Sequence, residues 1–151
     1  TFIGDEAANN FDGSTGTDII DYSTSSTAVT VNLTTGTGVG GDAQGDTLAG
    51  FEKVIGSAFN DTLTASFTNH VMQGGAGNDV YHVNGAVSVL EAVGEGDDEV
   101  RTTLTSYTLA NNVERLTYVG TGAFVGKGNA IDNIITGGAG NFAAASDLAT
   151  G

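Results

Sequence analysis

Residues 74–83 read Gly-Gly-Ala-Gly-Asn-Asp-Val-Tyr-His-Val, and residue types in this order can build an oxygen-donor site for a hard cation. The stretch fits the nine-residue pattern G-G-x-G-x-D-x-U-x, where U is a large apolar residue, with Tyr81 at U. Six residues make a tight turn, and glycines supply backbone angles that a Cβ resists. Three residues then make a short strand whose middle side chain points into a core. Asp79 offers a carboxylate oxygen, and the Gly-rich turn directs its carbonyls toward the same point. Calcium takes six to eight such oxygens.

The same register continues on either side. Counting back by nine gives Ala65–Met72, and by eighteen Gly56–Leu63, so that Leu63, Met72 and Tyr81 fall at successive U positions. Asp61 and Asp79 are two repeats apart. If each nonapeptide is half of a flattened coil, turns two repeats apart stack on one side, about one strand spacing of 4.8 Å apart. The 56–61 and 74–79 turns then face each other with an ion between them. Asn69-His70 falls in the turn of the opposite edge, where the metal pattern is broken.

Further copies keep part of the pattern. Gly13–Ile20 retains Gly13, Gly16, Asp18 and the apolar Ile20, and Gly4–Phe11 is a weaker copy before it. Gly41–Leu48 places Asp46 and Leu48 correctly, and Val93–Val100 keeps Gly94, Gly96, Asp98 and Val100. Gly128–Ile135 precedes Gly137–Asn141, after which Phe142 stands at the Asp position, so this last turn reads as structural or as an incomplete site. The repeats are clearest over 4–22, 41–48, 56–83, 93–101 and 128–141.

These motifs make the chain resemble the RTX family, the hemolysin-type calcium-binding proteins exported by bacterial type I secretion systems. The strongest similarity covers residues 56–83. A second stretch runs from Val87 through Glu91, Gly94–Val100, Tyr107-Thr108-Leu109, Asn112-Val113-Glu114 and Leu116-Thr117 to Gly128-Asn129. The resemblance implies a parallel β-roll, several calcium ions held between turns, and folding outside the cell. On that model Gly74, Gly75, Ala76 and Gly77 offer carbonyls and Asp79 its carboxylate, while Gly56, Ala58 and Asp61 complete the ion's shell. Location is then secreted, extracellular or on the bacterial cell surface.

Composition agrees independently of the family. Eighteen acids against four bases give −14, with charged residues only 15% of the 151. The acids stand singly in Gly-rich turns rather than in a run such as an acidic tail would carry. Nucleic acid is excluded as a partner, because phosphate binding needs clustered Lys and Arg and only Lys53, Arg101, Arg115 and Lys127 are present. Without cysteine there are no disulfides or thiolate zinc sites, which suits a secreted protein stapled by metal ions. No apolar run approaches the ~20 residues that span a bilayer. The chain starts Thr-Phe-Ile-Gly and reads as a piece of a longer secreted protein, folded as one domain over 1–151.

The expected fold class is all-β: a parallel β-roll or solenoid, each unit packing on its neighbours. Strand-like stretches rich in β-branched residues are 28–33, 87–92, 99–104, 113–119 and 131–135. Segments 23–40 and 84–92 depart from the nonapeptide and should form wider coils or inserted strands. Ile20, Leu63, Met72, Tyr81, Val100 and Ile135 should point inward.

No catalytic signature emerges. His70 and His82 lie outside any H-E-x-x-H arrangement, and no G-x-S-x-G elbow is present. His82 should face outward, and Arg101 and Arg115 should pair with Glu91, Glu99 or Glu114. The leading expectation is therefore a calcium-dependent folding and secretion module that is not an enzyme. The alternatives are an adhesin or surface-layer module contacting cell-surface carbohydrate or protein, and an ancillary domain of a secreted protease, lipase or polysaccharide-modifying enzyme.

Overall fold

The computed structural model describes residues 1–138 and the backbone of Phe142–Ala145; the turn expected at 139–141 lies outside the described residues. In chain order the strands are β1 Phe2–Ile3, β2 Asn10–Asp12, β3 Ile19–Asp21, β4 Thr30–Asn32, β5 Thr37–Val39, β6 Thr47–Ala49, β7 Lys53–Ile55, β8 Thr62–Ala65 and β9 Val71–Gln73. There follow β10 Val80–Val83, β11 Ser88–Leu90, β12 Glu99–Thr102, β13 Ser106–Thr108, β14 Arg115–Tyr118, β15 Phe124–Lys127, β16 Ile134–Thr136 and β17 Phe142–Ala145. None is longer than four residues, because a glycine- or Asx-rich turn arrives every nine or so positions.

The chain winds into a β-solenoid of about seven coils. One face carries a five-stranded sheet ordered β1-β3-β7-β9-β11 and a separate three-stranded sheet ordered β13-β15-β17. The other face is one nine-stranded sheet, β16-β14-β12-β10-β8-β4-β5-β6-β2. All pairings are parallel except β4–β5 and β5–β6.

Residues separated by one coil stand in register, so the U positions stack into two inward ladders. Val31, Leu63, Tyr81, Val100, Leu116 and Ile135 form one. Ile20, Val54, Met72 and Val89 form the other. Ile20, Leu63, Met72, Tyr81 and Val100 are fully buried, as expected, whereas Ile135 near the described end is only half-buried.

Two expectations need correction, while segment 23–40 interrupts the roll with an inserted strand as expected: β4 runs ahead to pair with β8, and β5 reverses direction to pair antiparallel with β4 and β6. The Asn32 carboxamide, accepting the Thr34 N–H at 2.9 Å, and Gly36 at φ 69° make the reversal. Segment 84–92 holds no inserted strand, since β11 extends the ladder of β9; the sheet instead ends there. Residues 131–133 are not strand, because the Asn133 side chain holds the Asn129 N–H at 2.7 Å in a turn. Among the described residues no helix is long and apolar enough to cross a membrane.

Candidate metal centre

The turns that lead from the first face to the second stack along one edge: 56–61 before β8, 74–79 before β10 and 91–98 before β12. Each ends on an Asp whose main chain and side chain serve different coils. The Asp61 carbonyl accepts the Val80 N–H at 2.9 Å, and the Asp79 carbonyl accepts the Glu99 N–H at 2.8 Å, which starts each new parallel strand. In the other direction each carboxylate accepts an N–H from the coil before it. Val29 donates to Asp61 Oδ1 (2.7 Å), Asp61 to Asp79 Oδ1 (2.7 Å), Asp79 to Asp98 Oδ1 (2.8 Å) and Asp98 to Glu114 Oε2 (2.8 Å). The edge is a ladder of carboxylates capping strand starts. Charge-assisted bonds of this kind are roughly twice as strong as neutral ones.

The glycines make room for these carboxylates. A Cβ at Gly74 would overlap Asp79 Oδ2 and the Tyr81 hydroxyl, and one at Gly56 would overlap Asp61 Oδ2. Gly77 adopts φ 116° and donates its N–H to the Glu95 carbonyl at 2.8 Å, tying the 74–79 turn to the next one. Gly75 and Gly94 also have positive φ, a Cβ on Gly96 would overlap the Gly77 carbonyl, and Ala58 and Ala76 are exposed at the turn tips.

The second carboxylate oxygen distinguishes the acids. Asp61 is saturated: Oδ1 also accepts the Ser57 hydroxyl at 2.8 Å, and Oδ2 accepts the Ser57 N–H at 2.5 Å. Asp79 Oδ2 and Asp98 Oδ2 are buried without a hydrogen-bond partner, and so is Glu91 Oε2. Asp79, Glu91 and Asp98 each bring one oxygen within 4.8 Å of the others. Asp79 and Asp98 are 1% exposed. Burial pushes the Asp79 carboxyl up to about 7, Asp98 to about 6 and Glu91 to about 9, and the neighbouring negative charges add to each shift. Three carboxylates enclosed this closely need protons or a cation. A divalent, oxygen-preferring ion fits them, since buried charge must be paired or coordinate a metal.

Glu91 is the residue that sequence reasoning missed. Expected as a surface partner for arginine, it instead accepts the Tyr81 hydroxyl on Oε1, while its carbonyl accepts the Asn112 amide at 2.9 Å. Arg101 pairs with Glu99 at 2.8 Å and Arg115 with Asp97 at 3.6 Å. The available signal was Tyr81 itself, the one U residue on this ladder with a hydroxyl: a buried phenol needs an acceptor.

The other predicted site residues stand apart from this cluster. Gly13, Gly16 and Asp18 form a turn on the opposite edge, where the Asp18 N–H donates to Glu52 Oε2 at 2.8 Å. Asp46 lies within the β4–β5–β6 reversal, just before β6, with both oxygens engaged, by the Asn9 N–H (2.8 Å) and the Tyr22 hydroxyl (2.7 Å). His82 sits on the outer side of β10, in register with Arg101. His70 packs edge-to-face on Phe67 at 5.3 Å, with its buried Nδ1 unpartnered.

Fold and edge together define a parallel β-solenoid with an acid-lined row of turns. Two curated relatives from Rhizobium meliloti (strain 1021) are similar to part of its sequence. The endo-1,3-1,4-β-glycanase ExsH is 45% identical over 87 residues, and the endo-1,3-1,4-β-glycanase EglC is 39% identical over 87 residues. Each match takes in 56% of this chain and 18% of the relative, so the chain spans about a fifth of their length. No family model matches the chain, and no solved structure does. The expectation that the protein is not an enzyme is overturned by these relatives, both named as glycanases. A nonapeptide signature reports turns and core and says nothing of the activity of the protein that carries it, so a missing catalytic motif excluded none.

Proposed function

We propose that this chain is a calcium-holding β-roll of the RTX kind, belonging to a secreted protein that acts on β-linked polysaccharide. The observation that carries the cation is the set of buried, unpartnered oxygens of Asp79, Glu91 and Asp98. At 1% exposure the two aspartates are closed to a sugar chain, and the chemistry that suits them is coordination. Calcium bound there would offset two of the three negative charges and tie β11 to the strand starts of β10 and β12. The carbonyls of Gly74, Gly75, Ala76, Gly77, Gly94 and Gly96 lie on the same row of turns. Gly56, Ala58 and Asp61 extend the row by one coil, where Asp61 serves as a cap. The polysaccharide part of the reading rests on the two relatives named as glycanases, and export on the same resemblance.

Isothermal calorimetry of the chelator-treated chain with calcium tests the reading. Saturable binding that weakens in Glu91→Gln supports it. Unchanged calcium binding in both Glu91→Gln and Asp98→Asn would remove the cluster from the function.

A further inference from the structure

On the first face the solenoid splits. β11 is the last strand of the five-stranded sheet and β13 the first of the three-stranded one, while directly behind them β10 and β12 stay paired over four residues. The coils therefore part on one side only. A groove of about 650 Å³ enters the core there, a size typical of ligand pockets. Val89 and Tyr107 lie at its floor and Leu90, Ser106, Val125 and Lys127 along its rim. The facing edges of β11 and β13 have no strand between them to complete their ladders.

Its chemistry differs from the rest of the surface. No acid among the described residues lines the groove of this −14 chain, whereas one of the four bases, Lys127, does. It is thus no second cation site. Tyr107 is half-buried, and burial alone raises its hydroxyl to about 12; no hydrogen bond engages that hydroxyl among the described residues. An apolar floor with one aromatic ring, bounded by hydroxyls, an amine and free backbone groups, matches an extended ligand with apolar ring faces and a hydroxyl periphery. A peptide strand fits less well. It would need β11 and β13 to stand two strand spacings apart, about 9.6 Å, while β10 and β12 behind them remain one spacing apart.

We infer that the groove between β11 and β13 binds an extended segment of β-linked glycan, with Tyr107 as the ring platform and Ser106 and Lys127 as hydrogen-bond donors. The inference rests on the polysaccharide reading above and places contact with the glycan at a site distinct from the carboxylate cluster.

Calorimetry of the calcium-saturated chain with short 1,3-1,4-β-linked glucan oligosaccharides is the test. Tyr107→Leu keeps apolar bulk and should weaken association by about tenfold, the upper range for loss of one aromatic contact, with calcium binding unchanged. Should that variant unfold, Ser106→Trp at the exposed rim fills the groove and should abolish binding in a folded chain. Oligosaccharide binding untouched by both variants would overturn the groove and leave the polysaccharide reading standing. No binding at millimolar oligosaccharide would also overturn it, and hydrolysis of the same glucan by the full-length protein would show that the broader reading survives. Self-association of the chain that Ser106→Trp abolishes, without glycan binding, would assign the groove to a peptide strand and overturn the proposal.

Discussion

Asp61 and Asp79 occupy the same place in the repeat and do different work, because one has a second donor for its outer oxygen and the other does not. Ser57 saturates Asp61, so Asp61→Asn should lower stability while calcium affinity stays within a fewfold of the parent. Asp79→Asn and Glu91→Gln should lower that affinity by at least about tenfold, the low end for damage to a metal's supporting shell. Equal losses in all three variants, read by calorimetry, would contradict the division. Asp79 and Asp98 were legible in the sequence because each closes a G-x-G-x-D turn, Gly75–Asp79 and Gly94–Asp98. Glu91 was not, since it sits where the nine-residue register lapses and reaches the site only through the Tyr81 hydroxyl. The same three acids set a pH dependence for the metal-free chain. Their folded values, about 7, 9 and 6 for Asp79, Glu91 and Asp98, all lie above the ordinary carboxyl range near 4. Raised values mean the protonated forms favour the fold. That stability is fully present below about pH 4 and is lost as pH rises through about 6 to 9. In chelator the chain should therefore keep more β-type circular dichroism at pH 5 than at pH 8.5; the opposite order would mean that other groups govern the titration.

At the scale of elements, the one-coil spacing of two repeats decides which side chains meet. Leu63 stacks between Val31 and Tyr81 and is fully buried, so Leu63→Ala should cost about 2–5 kcal/mol. Ile135, half-buried at the end of the same ladder, should cost clearly less when cut to alanine. Similar losses at both positions in thermal unfolding would undo the stacking argument. The ladder was readable because a period of nine fixes what faces inward. The reversal through β5 was not, because Thr37–Val39 carries no apolar alternation: Gly38 is the inward residue and Val39 is exposed. The split between β11 and β13 was equally hidden. Ser88 of β11 and Ser106 of β13 stand 18 residues apart, the same spacing as the paired Lys53 and Val71, so counting along the chain does not reveal it.

The whole molecule brings acids together along one edge faster than it buries apolar surface. Strands of two to four residues expose much of what they carry, and Ile3, Phe67 and Val93 remain outside the core. The net charge of −14 is concentrated on turns that must stack within one strand spacing for the core to form. Metal-free, the chain has the character of acidic sequences that stay disordered for want of buried apolar area. A site with a Kd of about 0.1 mM, within the range of extracellular modules, would add roughly 1.4 kcal/mol at millimolar calcium and almost nothing at micromolar calcium. Against a total stability of about 5–15 kcal/mol for a native domain, a few such ions separate a folded chain from an unfolded one. Calcium added to a chelated sample at pH 7.5 should thus restore a β-type circular dichroism spectrum, with a midpoint in the submillimolar range. Glu91→Gln should move that midpoint to higher calcium, and Asp18→Asn, on the opposite edge, should leave it in place. A full β spectrum persisting in chelator at that pH would mean that hydrogen bonds from each carboxylate to its neighbouring coil hold the edge without an ion.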